Sequence, residues 1–120
     1  MENPSTLFVV KNLQESKLFY LNVLGLKFVS ESERCIKFLA GTHEVLIFQG
    51  TLPAIEYEHG FNSSSTLVFT VDDLDSKIFE LKQKDVNFIH DSPNRNDWGR
   101  YAAFKDPSGI VHEIFEVFKE

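Results

Sequence analysis

The chain has 120 residues, 42% of them hydrophobic and 25% charged, which is the composition of an ordinary globular protein and fits one compact domain. A formal net charge of −6 and a pI near 5.2 argue against nucleic acid as a partner and mildly favour neutral or cationic ligands. Twelve Phe residues, beside three Tyr and one Trp, indicate large apolar faces to bury or a pocket to line.

The sequence carries no signal for export or for a membrane. Cys35 stands alone, which excludes a disulfide framework. Residues 1–5 lack the basic and apolar regions of a secretory signal. No apolar run approaches the roughly 20 residues that a membrane helix needs. We therefore expect a soluble cytoplasmic protein with no membrane as a partner.

The first half of the chain predicts a strand, a helix and three further strands. An apolar run at residues 7–10 is the first strand. Asn12 is a predicted N-cap with Glu15 three residues later, and Gly25 is the predicted end of the helix. The later strands are predicted at residues 27–30, 35–40 and 44–48.

The second half predicts the same order after a linker at residues 51–64, which is rich in Pro, Gly, Asn and Ser. Asp72-Asp73 is the predicted cap of its helix. Asp106-Pro107-Ser108-Gly109 is a predicted turn, because Pro fixes φ and Gly supplies a positive φ. The strands are predicted at residues 67–71, 86–90, 101–104 and 111–117.

Several short motifs recur 60 positions apart. Ser5-Thr6-Leu7 recurs as Ser65-Thr66-Leu67, and Ser16-Lys17-Leu18-Phe19 recurs as Ser76-Lys77-Ile78-Phe79. This spacing predicts two copies of one βαβββ module, at residues 1–50 and 65–120, within one compact α+β domain.

Two longer motifs carry a resemblance. Val10-x-Asn12-Leu13-x-x-Ser16-x-x-Phe19-Tyr20-x-x-x-Leu24-Gly25 opens the first module. Trp98-Gly99-Arg100 and then Phe104-x-Asp106-Pro107-x-Gly109-x-x-x-Glu113 close the second module. Together they resemble the vicinal oxygen chelate superfamily, which includes glyoxalase, the extradiol dioxygenases and the fosfomycin and bleomycin resistance proteins. The resemblance implies paired curved mixed sheets around a cavity, with the helices outside, and a homodimer in which modules are sometimes exchanged.

The resemblance also implies four metal-ligand positions, on the first and last strands of the modules. In this chain they are Ser5, Leu46, Thr66 and Glu113. A catalytic divalent ion needs several His or carboxylate donors at about 2.0–2.2 Å, and only Glu113 is such a donor. We therefore expect no metal and no other cofactor, which argues against metal-dependent glyoxalase or dioxygenase activity.

Glu113 is the candidate catalytic residue, as a general base or as the partner of a cationic ligand group. The alternative is a relic acid that is solvated or hydrogen-bonded to Ser5 or Thr66. The candidate ligand-binding residues lie on the same strand faces as Glu113 or in the loop before the last hairpin: Leu7, Val9, Phe48, Val68, Trp98, Arg100, Tyr101 and Phe115. An apolar cleft with few polar groups is the usual form of a small-molecule site.

Each of these candidates has a structural alternative. The apolar set is equally explained as core, and Trp98 and Tyr101 as anchors of a loop. Arg100 is slightly better explained by an ion pair with Asp97 or Asp106. His112 is predicted to be a buried or half-buried core histidine on the helix-facing side of its strand. His43, His59 and His90 are predicted to be solvated or structural, and Cys35 to be a small apolar residue.

Three functions remain open. The first is a metal-free protein of the bleomycin resistance type, which sequesters a small aromatic or cationic compound and so confers antibiotic resistance. The second is a lyase or isomerase that uses Glu113 as a general base, either without a metal or with a loosely held one. The third is a structural or regulatory module with a closed cavity. The partner of the first two is a small-molecule ligand.

Overall fold

The computed structural model describes residues 1–56 and 64–119. The chain divides into two compact units, Met1–Ala54 and Ile55–Glu120. His59 and part of the predicted linker lie outside the described residues. Within the described ranges, no helix has both the length and the apolar character of a membrane span.

The first unit is a four-stranded sheet with one helical segment. Its strands follow the order β1-β4-β3-β2, with β1 parallel to β4 and the other pairs antiparallel. The predicted strands of this half are confirmed to within two residues at their ends. The bounds are β1 Ser5–Val10, α1 Leu13–Leu18, a π-helical segment Phe19–Val23, β2 Lys27–Glu31, β3 Cys35–Ala40 and β4 His43–Gln49.

Local signals in the sequence fix both ends of this helical segment. The side chain of Asn12 accepts a hydrogen bond from the backbone N–H of Glu15 at 3.0 Å, which confirms the predicted N-cap. Gly25 adopts a φ of +71°, as the predicted helix end requires. Gln49 of β4 adds a link from the sheet, because its Oε1 accepts the N–H of Leu13 at 2.8 Å.

The second unit is a five-stranded sheet with one helix. Its main path is β5-β9-β8-β6, with β5 parallel to β9, and β7 also pairs with β8. The two mixed sheets and their helices confirm the predicted α+β fold built from βαβββ modules. The bounds are β5 Leu67–Thr70, α2 Leu74–Gln83, β6 Asn87–Phe88, β7 Asn94–Arg95, β8 Gly99–Lys105 and β9 Val111–Val117.

The region between α2 and β8 differs from the prediction. The strand expected at residues 86–90 is only two residues long, and β7 lies inside the segment 91–97 that was expected to be a loop. Residues 90–93 interrupt the pairing with β8, and Pro93, which has no backbone N–H to donate, immediately precedes β7.

The turn between β8 and β9 forms as predicted. Gly109 has a φ of +92°, and the side chain of Asp106 accepts the N–H groups of Ser108 and Ile110 at 2.9 and 2.8 Å. An Asp that caps its own turn in this way holds the two longest strands of the unit in register.

The internal repeat holds in the structure, with one change of spacing. The N-caps Asn12 and Asp73 are 61 positions apart. Phe28 of β2 pairs with Phe38 of β3, and Phe88 of β6 pairs with Phe104 of β8 in the same way, but Phe28 and Phe88 are only 60 positions apart. A π-helical turn takes up one residue more than an α-helical turn, and the first unit has such a segment at Phe19–Val23. The spacing of 60 predicted for the helices is therefore wrong by one residue.

Each unit buries one face of its sheet against its own helix. The largest buried side chains of the first unit include Tyr20, Ile36, Phe38 and Ile47. Those of the second unit include Leu74, Phe104 and His112. Because strand side chains alternate, the residues between these buried positions lie on the opposite, more open face of each sheet.

Candidate functional site

The open face of the first sheet carries three of the predicted ligand-binding residues. In the strand register, Leu7 of β1 lies beside Leu46 of β4, and Val9 lies beside Phe48. Leu7 is 54% exposed, Val9 57% and Phe48 37%. This group of large apolar side chains is therefore accessible within its unit and is not part of the core.

The open face of the second sheet carries Glu113 and three more predicted residues, and we call it the Glu113 face: Val68, Tyr101, Glu113 and Phe115. Val68 pairs with Glu113 across β5 and β9, and Tyr101 pairs with Phe115 across β8 and β9. Glu113, Tyr101 and Phe115 are half-buried, and Val68 is 48% exposed. One carboxylate thus lies among apolar and aromatic side chains.

Gly99 allows the ring of Phe115 to lie against the backbone of β8. A Cβ atom at Gly99 would collide with the carbonyl oxygen of Glu116 and would come within 2.9 Å of Phe115 Cζ. The sequence singled out Gly99 only as part of the Trp98-Gly99-Arg100 motif. Its packing role depends on the pairing of β8 with β9, which the sequence alone does not specify.

Trp98 has a fixed backbone and an open side chain. The side chain of Asn96 accepts the N–H groups of Trp98 and Gly99, at 2.8 and 3.0 Å, and the carbonyl of Trp98 accepts the N–H of Phe118. The residue is 72% exposed. Trp98 is therefore no core anchor of its loop within the second unit, and its ring is accessible for stacking.

Arg100 lies on the helix-facing side of β8, away from Glu113. Its guanidinium bonds Asp75 of α2 at 3.1 Å and Glu116 of β9 at 3.3 Å. These hydrogen bonds, first to Asp75 and then to Glu116, raise the pKa of Arg100. Glu116 also accepts the N–H of Leu74 at 3.0 Å, so the group fixes the start of α2.

The predicted ion-pair alternative for Arg100 therefore describes the structure better than a ligand-binding role. The predicted partners, Asp97 and Asp106, are wrong, because both are close to Arg100 in sequence whereas the observed partners come from a helix and a neighbouring strand.

The four metal positions hold a poor set of donors. The hydroxyl of Ser5 donates to Glu44 at 3.0 Å, and Glu44 also forms an ion pair with Lys37 at 3.5 Å. Leu46 offers no donor atom, and Thr66 offers a neutral hydroxyl. Across residues 1–56 and 64–119, no three His, Cys, Asp or Glu side chains group together so that they could hold a metal ion. One carboxylate with two hydroxyls does not fit a catalytic divalent ion.

The histidines behave as the sequence predicted where the structure describes them. His112 is fully buried, with its ring 5.8 Å from that of Phe104, and burial lowers its pKa to about 4. His43 contacts the Thr6 hydroxyl at 2.7 Å, and His90 contacts the Asn94 amide at 3.1 Å. These are structural contacts.

A comparison with protein families finds a match over most of the chain. The model of the Glyoxalase/Bleomycin resistance protein/Dioxygenase superfamily matches residues 4–114. No curated protein matches the chain.

Solved structures share the fold at low identity. The antibiotic-binding protein TnmS3 from Streptomyces sp. CB03234 is 20% identical, with a TM-score of 0.71 and 98% of each chain covered. The fosfomycin resistance protein FosX from Listeria monocytogenes is 18% identical, with a TM-score of 0.78, 96% of this chain and 90% of that chain. The lactoylglutathione lyase from Agrobacterium tumefaciens is 19% identical, with a TM-score of 0.72, 93% of this chain and 90% of that chain.

Proposed function

Since the chain belongs to the glyoxalase/bleomycin resistance protein/dioxygenase superfamily, we propose that it binds a small aromatic or cationic organic compound without a metal ion. In this proposal the protein sequesters the compound, as a bleomycin resistance protein does, and the ligand lies against the Glu113 face. The observation that carries the proposal is the combination of one carboxylate, several apolar side chains and an accessible Trp98 in the same unit.

The chemistry of these residues matches such a ligand. Val68, Tyr101 and Phe115 offer apolar and aromatic surface, and the exposed indole of Trp98 can stack on a planar or cationic group. Glu113 supplies the single negative charge that pairs with a cation. The net charge of −6 favours the approach of cationic compounds from solution.

The donor set supports the metal-free part of the proposal. Enzymes that hold a divalent ion surround it with several His or carboxylate groups, and the four equivalent positions here contain only Glu113 as such a group. TnmS3, which has the same fold, is an antibiotic-binding protein, and this supports sequestration as a use of the fold.

We also propose a homodimer. Leu7, Val9, Phe48 and Val68 are between 37% and 57% exposed in a single chain, and their open faces are the apolar surfaces that a second copy can cover. The single free cysteine, Cys35, fits a reducing compartment, and we therefore place the protein in the cytoplasm.

A lyase or isomerase is the second candidate. The observation in its favour is that Glu113 is half-buried and lies between Val68 and the buried Ala103 in the strand register, so its side chain shares a sheet face with apolar residues. In that case Glu113→Gln abolishes turnover of the substrate and leaves binding of neutral analogues largely intact.

Titration of the Trp98 fluorescence tests the binding proposal, because Trp98 is the single tryptophan and is exposed. We expect bleomycin or another cationic antibiotic to give a saturable change in emission. Glu113→Gln should weaken binding of a cationic ligand by about tenfold to a hundredfold, since a hydrogen bond to a charged group contributes about 1.5–3 kcal/mol.

Glu33→Gln is the matched control, because it removes the same charge from an exposed position in the turn between β2 and β3. It should leave the affinity within about twofold, since exposed charges act weakly over distance in salt. A flat emission with every compound tried, or equal losses in the two variants, would contradict the proposal.

A further inference from the structure

A small cavity lies on the side of the second sheet that faces α2. It has a volume of about 210 Å³ and is bounded by α2 and by residues 90–93. Its apolar lining comes from Ile78, Phe88 and Ala102, and its charged lining comes from Asp75, Lys82 and Asp91. The volume is below the roughly 300 Å³ at which drug-sized ligands begin to fit, so any occupant is a small molecule.

This cavity is separate from the Glu113 face. Ala102 and Ala103 are neighbours on β8, and Ala103 is the strand partner of Glu113. Since alternate side chains point to opposite sides of a sheet, Ala102 and the cavity lie on the other side from Glu113. The proposed function therefore makes no use of the cavity.

The internal repeat identifies the residues of the first unit that correspond to the lining of this cavity. The helix spacing of 61 relates Gln14 to Asp75 and Lys17 to Ile78. A spacing of 60 relates Phe28 to Phe88. Beyond Phe28 the register of β2 shifts by one residue before Glu31, whereas in the second unit the segment 90–93, which contains Asp91, lies between β6 and β7.

In the first unit these residues form a closed cluster. The ammonium group of Lys17 lies 2.7 Å from Glu31 and 5.2 Å from the centre of the Phe28 ring. The amide of Gln14 donates to the other oxygen of Glu31 at 3.0 Å. The ammonium group of Lys17, a residue of α1, thus lies between the carboxylate of Glu31 and the ring of Phe28.

The second unit keeps the ring, as Phe88, and offers the carboxylate of Asp91 in the cavity lining, but it has no lysine at the helix position of Lys17. Ile78 replaces Lys17, and Asp75, which replaces Gln14, is held by Arg100. Within the described part of the chain, no cation forms an ion pair with Asp91 at 4.0 Å or less. In the second unit the 210 Å³ cavity lies where the first unit has the cluster of Lys17, Glu31 and Phe28.

We propose that this cavity binds a small primary amine with an apolar body. The ammonium group pairs with Asp91 as Lys17 pairs with Glu31, and the apolar body contacts Ile78 and Phe88. Amines therefore occupy the position of the missing lysine side chain. Lys82, whose ammonium group lies 6.0 Å from the centre of the Phe88 ring, borders the same space, and its positive charge disfavours a second ammonium group there.

Benzylamine, with benzyl alcohol and benzoate as neutral and anionic controls, tests the proposal by NMR titration of the labelled full-length protein. We expect saturable shifts of the backbone signals of residues 75–93 with benzylamine. Its affinity should exceed those of the two controls by about tenfold or more, the usual gain from a charge-assisted hydrogen bond. Equal binding of benzylamine and benzyl alcohol, or no binding of benzylamine, would overturn the proposal.

Two variants at the site sharpen the test. Ile78→Lys places the first unit's lysine in the second unit and should abolish benzylamine binding with the fold intact. Asp91→Asn should weaken binding about tenfold without adding bulk. Retention of wild-type affinity in either variant would refute the assignment to this cavity, and the Asp91→Asn result decides the matter if Ile78→Lys does not fold.

Two further variants separate this site from the others. Lys82→Met keeps the stem of the side chain and removes its charge, so we expect benzylamine to bind several-fold more tightly. Glu33→Gln removes a charge from an exposed turn of the first unit and should leave the shifts of residues 75–93 with benzylamine unchanged. Equal losses in Glu33→Gln and Asp91→Asn would show that benzylamine responds only to net charge and would contradict a site at Asp91.

Discussion

Lowering the pH from about 6.5 to about 4 should reduce the free energy of unfolding by about 3 kcal/mol through His112 alone. His112 is fully buried, and burial lowers its pKa in the folded protein from 6.5 to about 4. Between these two pH values the unfolded chain binds a proton on His112 and the folded protein does not. The contribution of His112 to the free energy of unfolding is therefore fully present above pH 6.5 and is lost as the pH falls towards 4.

Urea unfolding at several pH values checks this expectation. The difference in unfolding free energy between the wild type and His112→Leu should change by about 3 kcal/mol across the range, because the contributions of surface carboxylates cancel in the difference. An identical pH dependence in the wild type and His112→Leu would show that His112 is not buried in its neutral form.

Replacing Gly99 by Ala should destabilise the protein by about 2–3 kcal/mol. The added methyl group would collide with the carbonyl oxygen of Glu116 on the paired strand and would press on the ring of Phe115. A backbone atom in a sheet cannot move aside cheaply, so the strands must separate locally. Thermal or urea unfolding of the variant measures the loss.

Gly41→Ala is the matched comparison, because it isolates the cost of backbone conformation from the cost of a collision. Gly41 has a φ of +62° and open space where a Cβ would lie. Gly41→Ala should lower the free energy of unfolding by only about 1–2 kcal/mol, the usual cost of a left-handed backbone conformation for a residue with a Cβ. Equal stability of Gly99→Ala and the wild type would contradict the close packing of Phe115 on β8.

The Gly99 variant also bears on the site. Because Phe115 belongs to the Glu113 face, displacement of its ring should weaken the binding of an aromatic ligand as well as the fold. Gly41 belongs to the turn between β3 and β4 and should not affect that binding.

The parts of the fold that depend on neighbouring residues were predictable from the sequence. Asn12, Asp73 and Gly25 act through hydrogen bonds or dihedral angles within one turn of their own position, so their types alone indicate the helix ends. The turn at Asp106 and Gly109 is equally local. Together with the repeat, these signals give the element order and the family.

The parts that depend on contacts between distant segments were not predictable. Arg100 binds Asp75 and Glu116, which are 25 and 16 positions away, and nothing near Arg100 in sequence indicates them. The spacing of 61 between the helices was hidden, because the Ser-Lys pairs at residues 16–17 and 76–77 match in sequence without being equivalent in structure. The relation between the cavity and the Lys17 cluster could be recognised only after the spacing of 61 showed that Ile78 corresponds to Lys17.

The site was predictable in part. Strand alternation predicts one cavity-facing set that contains Leu7, Val9, Phe48, Val68, Glu113 and Phe115, because the period of a strand is fixed by geometry. The strand register gives the face of each unit separately and adds Tyr101 beside Phe115, whereas the sequence considered Tyr101 only together with Trp98. The role of Glu44 as the hydrogen-bond partner of Ser5 was missed, since it follows from the register of β1 against β4.

Calorimetric titration of metal-stripped protein with bleomycin tests the central claim most directly. Protein dialysed against a chelator should bind the compound with the same affinity as protein supplied with Ni²⁺, Zn²⁺, Mn²⁺ or Fe²⁺, because Glu113 is the only strong metal donor among the four equivalent positions. A ligand that binds only after one of these ions has been taken up in stoichiometric amount would contradict the account.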